Sequence, residues 1–164
     1  MHIEQTLVIL KPDCLQRNLV GKVIERFEQK GFKLIGIKMM ELSDVILEEH
    51  YSHVKDKPFF PKIKSFMQSS PCVVLAWQGI AAVRVVRQLC GITKARDANP
   101  GTIRGDFALS QQYNIIHASD SVETAKTEIK RLFKDAELFS YQKIDFDFTH
   151  ADDERALADD EITA

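Results

Sequence analysis

The segment "CVVLAW" (residues 72–77) carries the strongest fold signal in this sequence of 164 residues. All six residues are apolar, and the run is far too short to span a bilayer. Ser69-Ser70-Pro71 precedes it and Gly79 follows it, and residues of these types often interrupt regular structure. A short apolar run bounded in this way is typical of a strand that is buried on both faces. We therefore predict a strand at a central position of a sheet.

Strands and helices alternate on either side of this segment. Further strands are predicted over 5–11, 32–41 and 114–117. Apolar residues at helical spacing predict helices over 19–27, 44–49, 80–90 and 122–133, and a short helix after Pro58. Gly31 and Gly91 close two helices, Ser43 and Asp120 are predicted N-caps, and Glu123 gives Asp120 a capping box. This order predicts one α/β sandwich with a small mixed sheet.

The stretch between Gly91 and Tyr113 is too long for a simple connection in a compact domain, which indicates a functional loop. The glycine-rich phosphate loops G-x-x-x-x-G-K-[ST] and G-x-G-x-x-G are absent from the sequence. Basic side chains would therefore have to hold any phosphate. Lys11 ends a strand, Arg87 lies late in a helix, and Arg104 lies between glycines in "PGTIRGD" (100–106). Each alone is more typical of a solvated surface charge, but together they can meet at one sheet edge.

His117 lies at a junction between a strand and a helix in "NIIHASDS" (114–121). A histidine at a strand end is more often structural, but a neutral imidazole held in one tautomer can also act as a nucleophile. Glu128 on the following helix is a candidate to orient the ring. His50 and His53 have a spacing that could bind a metal, but no acidic or thiol partner has matching spacing, so we interpret them as surface residues.

The composition is that of a soluble globular protein, with 45% hydrophobic and 28% charged residues. No secretion signal is apparent at the N-terminus, and three widely spaced cysteines indicate reduced thiols in the cytoplasm. Residues 145–164 carry eight acids and one arginine, a charge of −7, which leaves +5 on residues 1–144 because the whole chain carries −2. A mildly basic body suits a polyanionic ligand, although so small an excess carries little weight alone.

Several segments together resemble the nucleoside diphosphate kinase family. They are "TLVILKPD" (6–13), "EEHYSHVKDKPFFP" (48–61), "SSPCVVLAWQG" (69–79), "PGTIRGDF" (100–107) and "NIIHASDSVETA" (114–125). The resemblance implies a ferredoxin-like βαββαβ sandwich, an α/β (α+β) fold with a four-stranded antiparallel sheet and helices packed on it. It also implies a phosphotransferase that moves the γ-phosphoryl group of a nucleoside triphosphate to a nucleoside diphosphate by ping-pong kinetics.

The resemblance assigns a catalytic role to four residues. His117 would be the nucleophile that becomes phosphohistidine, and Glu128 would accept a hydrogen bond from its ring. Ser119 would support Glu128, and Tyr51 would lie beside the histidine. His117 is therefore expected to be presented to a substrate.

A second group of residues would bind the nucleotide. Phe59 would stack on the base without reading its edges, which implies broad base specificity. Lys11 and Asn114 would contact the ribose hydroxyl and the phosphates. The residues expected to hold phosphate oxygens are Arg87, Thr93 and Arg104. Mg²⁺ would arrive on the nucleotide phosphates, and no metal site formed by protein side chains is expected.

Some positions depart from the family pattern. Ala118 replaces a glycine, and three differences that bear on affinity or assembly are Ala95, Gln111 and Tyr113.

We expect a kinase domain over 1–135 and an acidic extension over 136–164 that is largely disordered from Asp152 onward. We also expect a homo-oligomer, with a hexamer favoured over a tetramer. The main alternative is a catalytically weak family member that acts as a nucleotide-binding regulatory module. A nucleic-acid-binding domain is disfavoured because the aromatic RNA-binding motif is missing, and no membrane association is expected.

Overall fold

The computed structural model describes residues 3–155, and its centre is a four-stranded sheet. The strands are β1 (Ile3–Leu10), β2 (Lys33–Met40), β3 (Cys72–Ile80) and β4 (Ile116–Ala118). Their order across the sheet is β2-β3-β1-β4, and all three pairings are antiparallel. The antiparallel ferredoxin-like arrangement is therefore confirmed. The mixed sheet that we predicted from the order of elements alone is wrong, because that order does not determine strand direction.

The strand that contains "CVVLAW" lies between β2 and β1, as its apolar character predicted. Buried side chains line both faces of the sheet, which explains the continuous apolar run. Along β1, Val8 and Leu10 belong to one hydrophobic cluster, and Leu7 and Ile9 belong to the other. The alternation of side chains along a strand thus divides the core into two halves, one on each face.

Helices cover the two faces. They are α1 (Pro12–Gln16), α2 (Val20–Gln29), α3 (Asp44–His50), α4 (Phe60–Met67), α5 (Ala82–Cys90), α6 (Ile103–Phe107), α7 (Val122–Leu132) and α8 (Phe146–Thr149), with 3₁₀ turns at Ala95–Asp97 and Asp135–Glu137. Within residues 3–155, no helix is long and apolar enough to cross a membrane.

Two local predictions need correction. The N-cap of α7 is Ser121, whose hydroxyl accepts a hydrogen bond from the Thr124 amide, and Asp120 lies one residue too early for that role. The stretch 92–113 is not wholly irregular, because it contains a 3₁₀ turn and α6. Thr102 caps α6 by accepting a hydrogen bond from the Gly105 amide. A helix of five residues is too short to show apolar periodicity in sequence.

The segment that carries His117 is bonded to β1 at both ends. The Lys11 amide donates to the Ile115 carbonyl at 2.9 Å, and the Ser119 amide donates to the Leu7 carbonyl at 3.1 Å. Because β1 is also paired with β3 along its whole length, the middle of the sheet fixes the position of this segment.

The first part of the C-terminal extension packs along β2. The Phe139 amide donates to the Ile35 carbonyl at 2.8 Å, and the Tyr141 hydroxyl donates to the Leu34 carbonyl at 2.8 Å. The disorder predicted from Asp152 onward falls mostly on residues 156–164, which lie outside the described residues.

Candidate active site

A strained turn precedes His117. Ile115 has a φ of +72°, a conformation that is a genuine outlier for a β-branched residue. The Ile116 amide donates to the Asn114 carbonyl at 2.8 Å, which closes a γ-turn around Ile115. The Asp13 carboxylate stabilises this turn, because its Oδ2 accepts a hydrogen bond from the Ile115 amide at 2.9 Å. Strain of this kind persists only where the surrounding structure enforces it, and it is concentrated at functional sites.

His117 forms a hydrogen-bonded chain with two other side chains. Its Nε2 atom lies 3.0 Å from Glu128 Oε1, and Glu128 Oε2 accepts a hydrogen bond from the Ser119 hydroxyl at 2.5 Å. Burial acts to raise the pKa of Glu128, but the hydrogen bond and charge of His117 outweigh it, and the pKa lies below its usual value. An ionised carboxylate only accepts hydrogen bonds, so Nε2 is the donor in this contact, and in the neutral form of the ring Nδ1 is the nitrogen with the lone pair.

His50 packs against this chain, and our interpretation of it as a surface residue is wrong. Its side chain is only 1% exposed, its Nδ1 lies 3.5 Å from Glu128 Oε1, and its ring centroid lies 4.4 Å from that of His117. Burial, followed by the proximity of His117, lowers the pKa of His50 to about 3, so the ring is neutral. The spacing of three from Leu47, which is also buried in α3, could have placed His50 on the inner face of that helix. His53 is exposed, as predicted.

Lys11 and Asn114 form a polar pair beside the strained turn. Lys11 Nζ donates to Asn114 Oδ1 at 2.6 Å, and the amide nitrogen of Asn114 donates to the Thr93 carbonyl at 2.9 Å. Within residues 3–155, no carboxylate forms a salt bridge with Lys11. Burial, followed by the positive charge of Arg104, lowers the pKa of Lys11 to about 8. The pair therefore provides a cationic site without a resident anion.

Arg104 is buried because the backbone accepts its hydrogen bonds. Its Nη1 donates to the Gly91 carbonyl at 2.6 Å, and its Nη2 donates to the Ile116 carbonyl at 2.7 Å. Gly91 has a φ of +77°, and a Cβ atom there would lie 2.5 Å from Thr102 Oγ1, so only glycine fits this position without strain. Arg104 thus joins the end of α5 at Gly91 to β4 at Ile116.

These elements surround one cavity of about 970 Å³, which is within the range of ligand sites. Nine of the ten predicted site residues line it, namely Lys11, Tyr51, Phe59, Arg87, Thr93, Arg104, Asn114, His117 and Glu128. Ser119, the tenth, is fully buried behind Glu128. The side chain of His117 is 23% exposed, and Phe59 is 50% exposed at the rim. The cavity therefore combines cationic, aromatic and imidazole groups around an accessible ring.

Sequence comparison identifies relatives over almost the whole chain. The family described as nucleoside diphosphate kinase matches residues 4–138. A nucleoside diphosphate kinase of Parabacteroides distasonis is 53% identical over 152 residues, which cover 93% of this chain and 99% of that protein. Nucleoside diphosphate kinase B of Bos taurus is 46% identical over 149 residues, which cover 91% of this chain and 98% of that protein.

Solved structures give the same result. A halophilic nucleoside diphosphate kinase from Halobacterium salinarum in complex with CDP has a TM-score of 0.89 and 41% identity, covering 92% of this chain and all of that chain. A transition-state mimic of the Borrelia burgdorferi enzyme with bound vanadate and ADP has a TM-score of 0.82 and 34% identity, covering 87% of this chain and 94% of that chain. The chain belongs to the nucleoside diphosphate kinase family and is a phosphotransferase of that kind.

Proposed function

We propose that His117 takes the γ-phosphoryl group of a nucleoside triphosphate and passes it to a nucleoside diphosphate in a ping-pong reaction. The observation that carries this proposal is the contact of 3.0 Å between His117 Nε2 and the ionised Glu128 carboxylate. Because that contact holds the ring proton on Nε2, Nδ1 is free to attack phosphorus. In the first half-reaction the bond from the γ-phosphorus to the bridging oxygen breaks as the bond to Nδ1 forms. The second half-reaction reverses this with a new diphosphate.

Cationic and polar side chains around the cavity would bind the phosphates and stabilise their charge. Arg87, Thr93 and Arg104 line it and would hold phosphate oxygens, which carry the charge of the phosphoryl group during transfer. Lys11 and Asn114 would contact the ribose hydroxyl and the phosphates. Guanidinium and ammonium groups cannot ligate a metal, so Mg²⁺ would reach these side chains already bound to the nucleotide phosphates.

Phe59 would supply a stacking surface for the base. The ring lies at the rim of the cavity and is half-exposed, so a base could cover its free face. Stacking depends on the π-face that all bases share, which supports a broad range of nucleotides. Tyr51 lines the same cavity next to His50, and their ring centroids are 4.9 Å apart. We therefore assign Tyr51 a positioning role, in which its ring packs against His50 and His50 packs against His117.

The decisive experiment uses γ-labelled ATP. After incubation, the unmodified protein should carry label that is labile in acid and stable in base, and an added nucleoside diphosphate should remove this label. His117→Ala should acquire none. Label that persists in the variant, or that forms on Ser119 or Ser121 alone, would contradict the nucleophile assignment. Nucleotide binding without any labelling of the untreated chain would favour a regulatory module.

We further propose a cytoplasmic homohexamer. The three cysteines are free and buried, which is consistent with a reducing compartment. At the outer edge of the sheet, β2 exposes Ile37 at 52% and Met39 at 63%, and apolar groups on an open strand edge favour a contact with another chain. Sedimentation equilibrium tests the assembly, and a monomer or a tetramer would contradict it. Residues 1–135 would form the kinase domain, with 136–164 as an acidic extension.

A further inference from the structure

His50 has an unusual environment for a buried imidazole. Its side chain is almost fully buried, and neither ring nitrogen has a hydrogen-bond partner within residues 3–155. A polar group left unpaired in the interior has lost its hydration without gaining a hydrogen bond, which destabilises the fold. Buried polar groups are nearly always paired, so an unpaired one in a native structure requires an explanation. No step of the proposed phosphoryl transfer uses the two ring nitrogens of His50.

The nitrogens of His50 lie next to two other potential metal ligands. One ligand atom from each of His50, His117 and Glu128 can be chosen so that all three lie within 4.8 Å of one another. Glu128 Oε1 is 3.0 Å from His117 Nε2 and 3.5 Å from His50 Nδ1. A tetrahedral zinc ion with ligand distances of about 2.0–2.2 Å keeps its ligand atoms about 3.3–3.6 Å apart. Two of the three separations are therefore already close to those of a zinc site.

The chemistry of these groups selects the type of cation. Two neutral imidazoles and one carboxylate suit a borderline transition metal, whereas Mg²⁺ prefers oxygen ligands and keeps several waters. All three side chains line the cavity, so an ion can reach them from solvent. The cysteines are poor competitors, because burial raises the pKa of the Cys14, Cys72 and Cys90 thiols and disfavours the thiolate that a metal would need.

We propose that a zinc ion binds to His50, His117 and Glu128 and inhibits the enzyme by changing the tautomer of His117. Zinc occupies the lone pair of Nε2, where the ring proton resides in the metal-free protein. The neutral ring keeps one proton, and that proton moves to Nδ1. Nδ1 then has no lone pair with which to attack phosphorus. Inhibition would therefore not require zinc to displace the nucleotide.

The inhibitory effect of zinc rests on the proposed phosphoryl transfer. Two measurements test the zinc site independently of that reaction. Binding is measured on the untagged, full-length protein with Co²⁺, whose visible absorption is strong in tetrahedral sites. The tautomer is measured by ¹⁵N NMR of labelled histidine before and after Zn²⁺ is added. Neither measurement depends on catalytic turnover. We expect a tetrahedral cobalt spectrum and a change of His117 from the Nε2–H to the Nδ1–H form.

Variants test the ligand set. His50→Gln should weaken Co²⁺ binding and raise the half-inhibitory Zn²⁺ concentration at least about tenfold, since even outer-shell partners of a metal contribute 10–100-fold. His150→Gln removes a histidine that does not line the cavity, so it is the matched control and should leave both values unchanged. Each variant is compared with its own metal-free activity, in excess Mg²⁺.

The proposal is overturned if His50→Gln and the unmodified protein respond equally to zinc. An unchanged His117 tautomer in the zinc-treated unmodified protein also overturns it, and that measurement remains decisive if His50→Gln does not fold. If phosphoenzyme formation fails while the cobalt spectrum and the tautomer change appear, the metal site stands and the proposed function does not.

Discussion

The Ser119 hydroxyl and the Glu128 carboxylate are joined by a hydrogen bond of 2.5 Å, and this bond holds the carboxylate that faces His117. A hydrogen bond to a charged group contributes about 1.5–3 kcal/mol. Glu128→Gln keeps the size of the side chain but removes the charge that fixes the His117 tautomer. We expect the rate of phosphoenzyme formation to fall about 10- to 100-fold in single-turnover measurements with labelled ATP.

Ser119→Ala tests the same hydrogen bond by removing its donor. It removes one bond to Glu128 and also leaves the Leu7 amide without the Ser119 hydroxyl that accepts from it at 3.2 Å. We expect a smaller loss of rate than in Glu128→Gln and a lower free energy of unfolding in urea. A larger loss in Ser119→Ala than in Glu128→Gln would show that the serine acts by another route.

Asp13 should contribute to stability through the strained turn. Asp13→Ala leaves the Ile115 amide without its acceptor, and an unpaired buried donor costs about 1–3 kcal/mol. The free energy of unfolding should fall by that amount in a urea titration. Asp13→Asn retains an acceptor oxygen and is the matched control. Equal stability of the two variants would contradict the role of this hydrogen bond.

Phe59→Ala should weaken binding of all bases by a similar factor. Loss of a stacking surface costs about 1–3 kcal/mol for any base. The KM values for diphosphates of adenosine, guanosine, cytidine and uridine should rise together, while their ranking is preserved. Phe148→Ala is an aromatic control, since Phe148 is exposed and does not line the cavity. A selective loss of purines or pyrimidines would make Phe59 a reader of base identity.

Lys11 should make nucleotide binding depend on pH. The protonated ammonium attracts phosphate, and this form predominates below the lowered pKa of about 8 and is lost as pH rises through it. We expect KM to rise above about pH 8, approaching the limit of about tenfold per pH unit for a single group. Initial rates from pH 7 to 9.5 test this. Lys11→Arg stays charged and should remove the rise, whereas exposed Lys62→Arg should retain it.

Local residue patterns were sufficient to predict most of the sheet. The apolar run of β3 predicted its central position. Lys11 and His117 were identified as candidate site residues because each lies at the end of a predicted strand. The burial of His50 could have been predicted from its spacing to Leu47, but its neighbours in the site could not, because they come from β4 and α7, which are distant in sequence. The same reason applies to Asp13, whose partner is Ile115. Sequence spacing describes one element at a time, whereas both contacts depend on how separate elements pack.

Anchoring to β1 has a consequence for the opening motions of the protein. Amide hydrogens exchange with solvent through local unfolding in regions with few buried contacts, and through global unfolding at the centre of a core. The His117 segment includes the edge strand β4, which is bonded to β1 at both ends, and Ile115 and Ile116 in it are fully buried. Its release would therefore break these bonds and expose part of the hydrophobic core. The amides of Lys11 and Ser119 should exchange about as slowly as those of β1, and the nucleophile should stay in place during the looser motions of the surrounding loops.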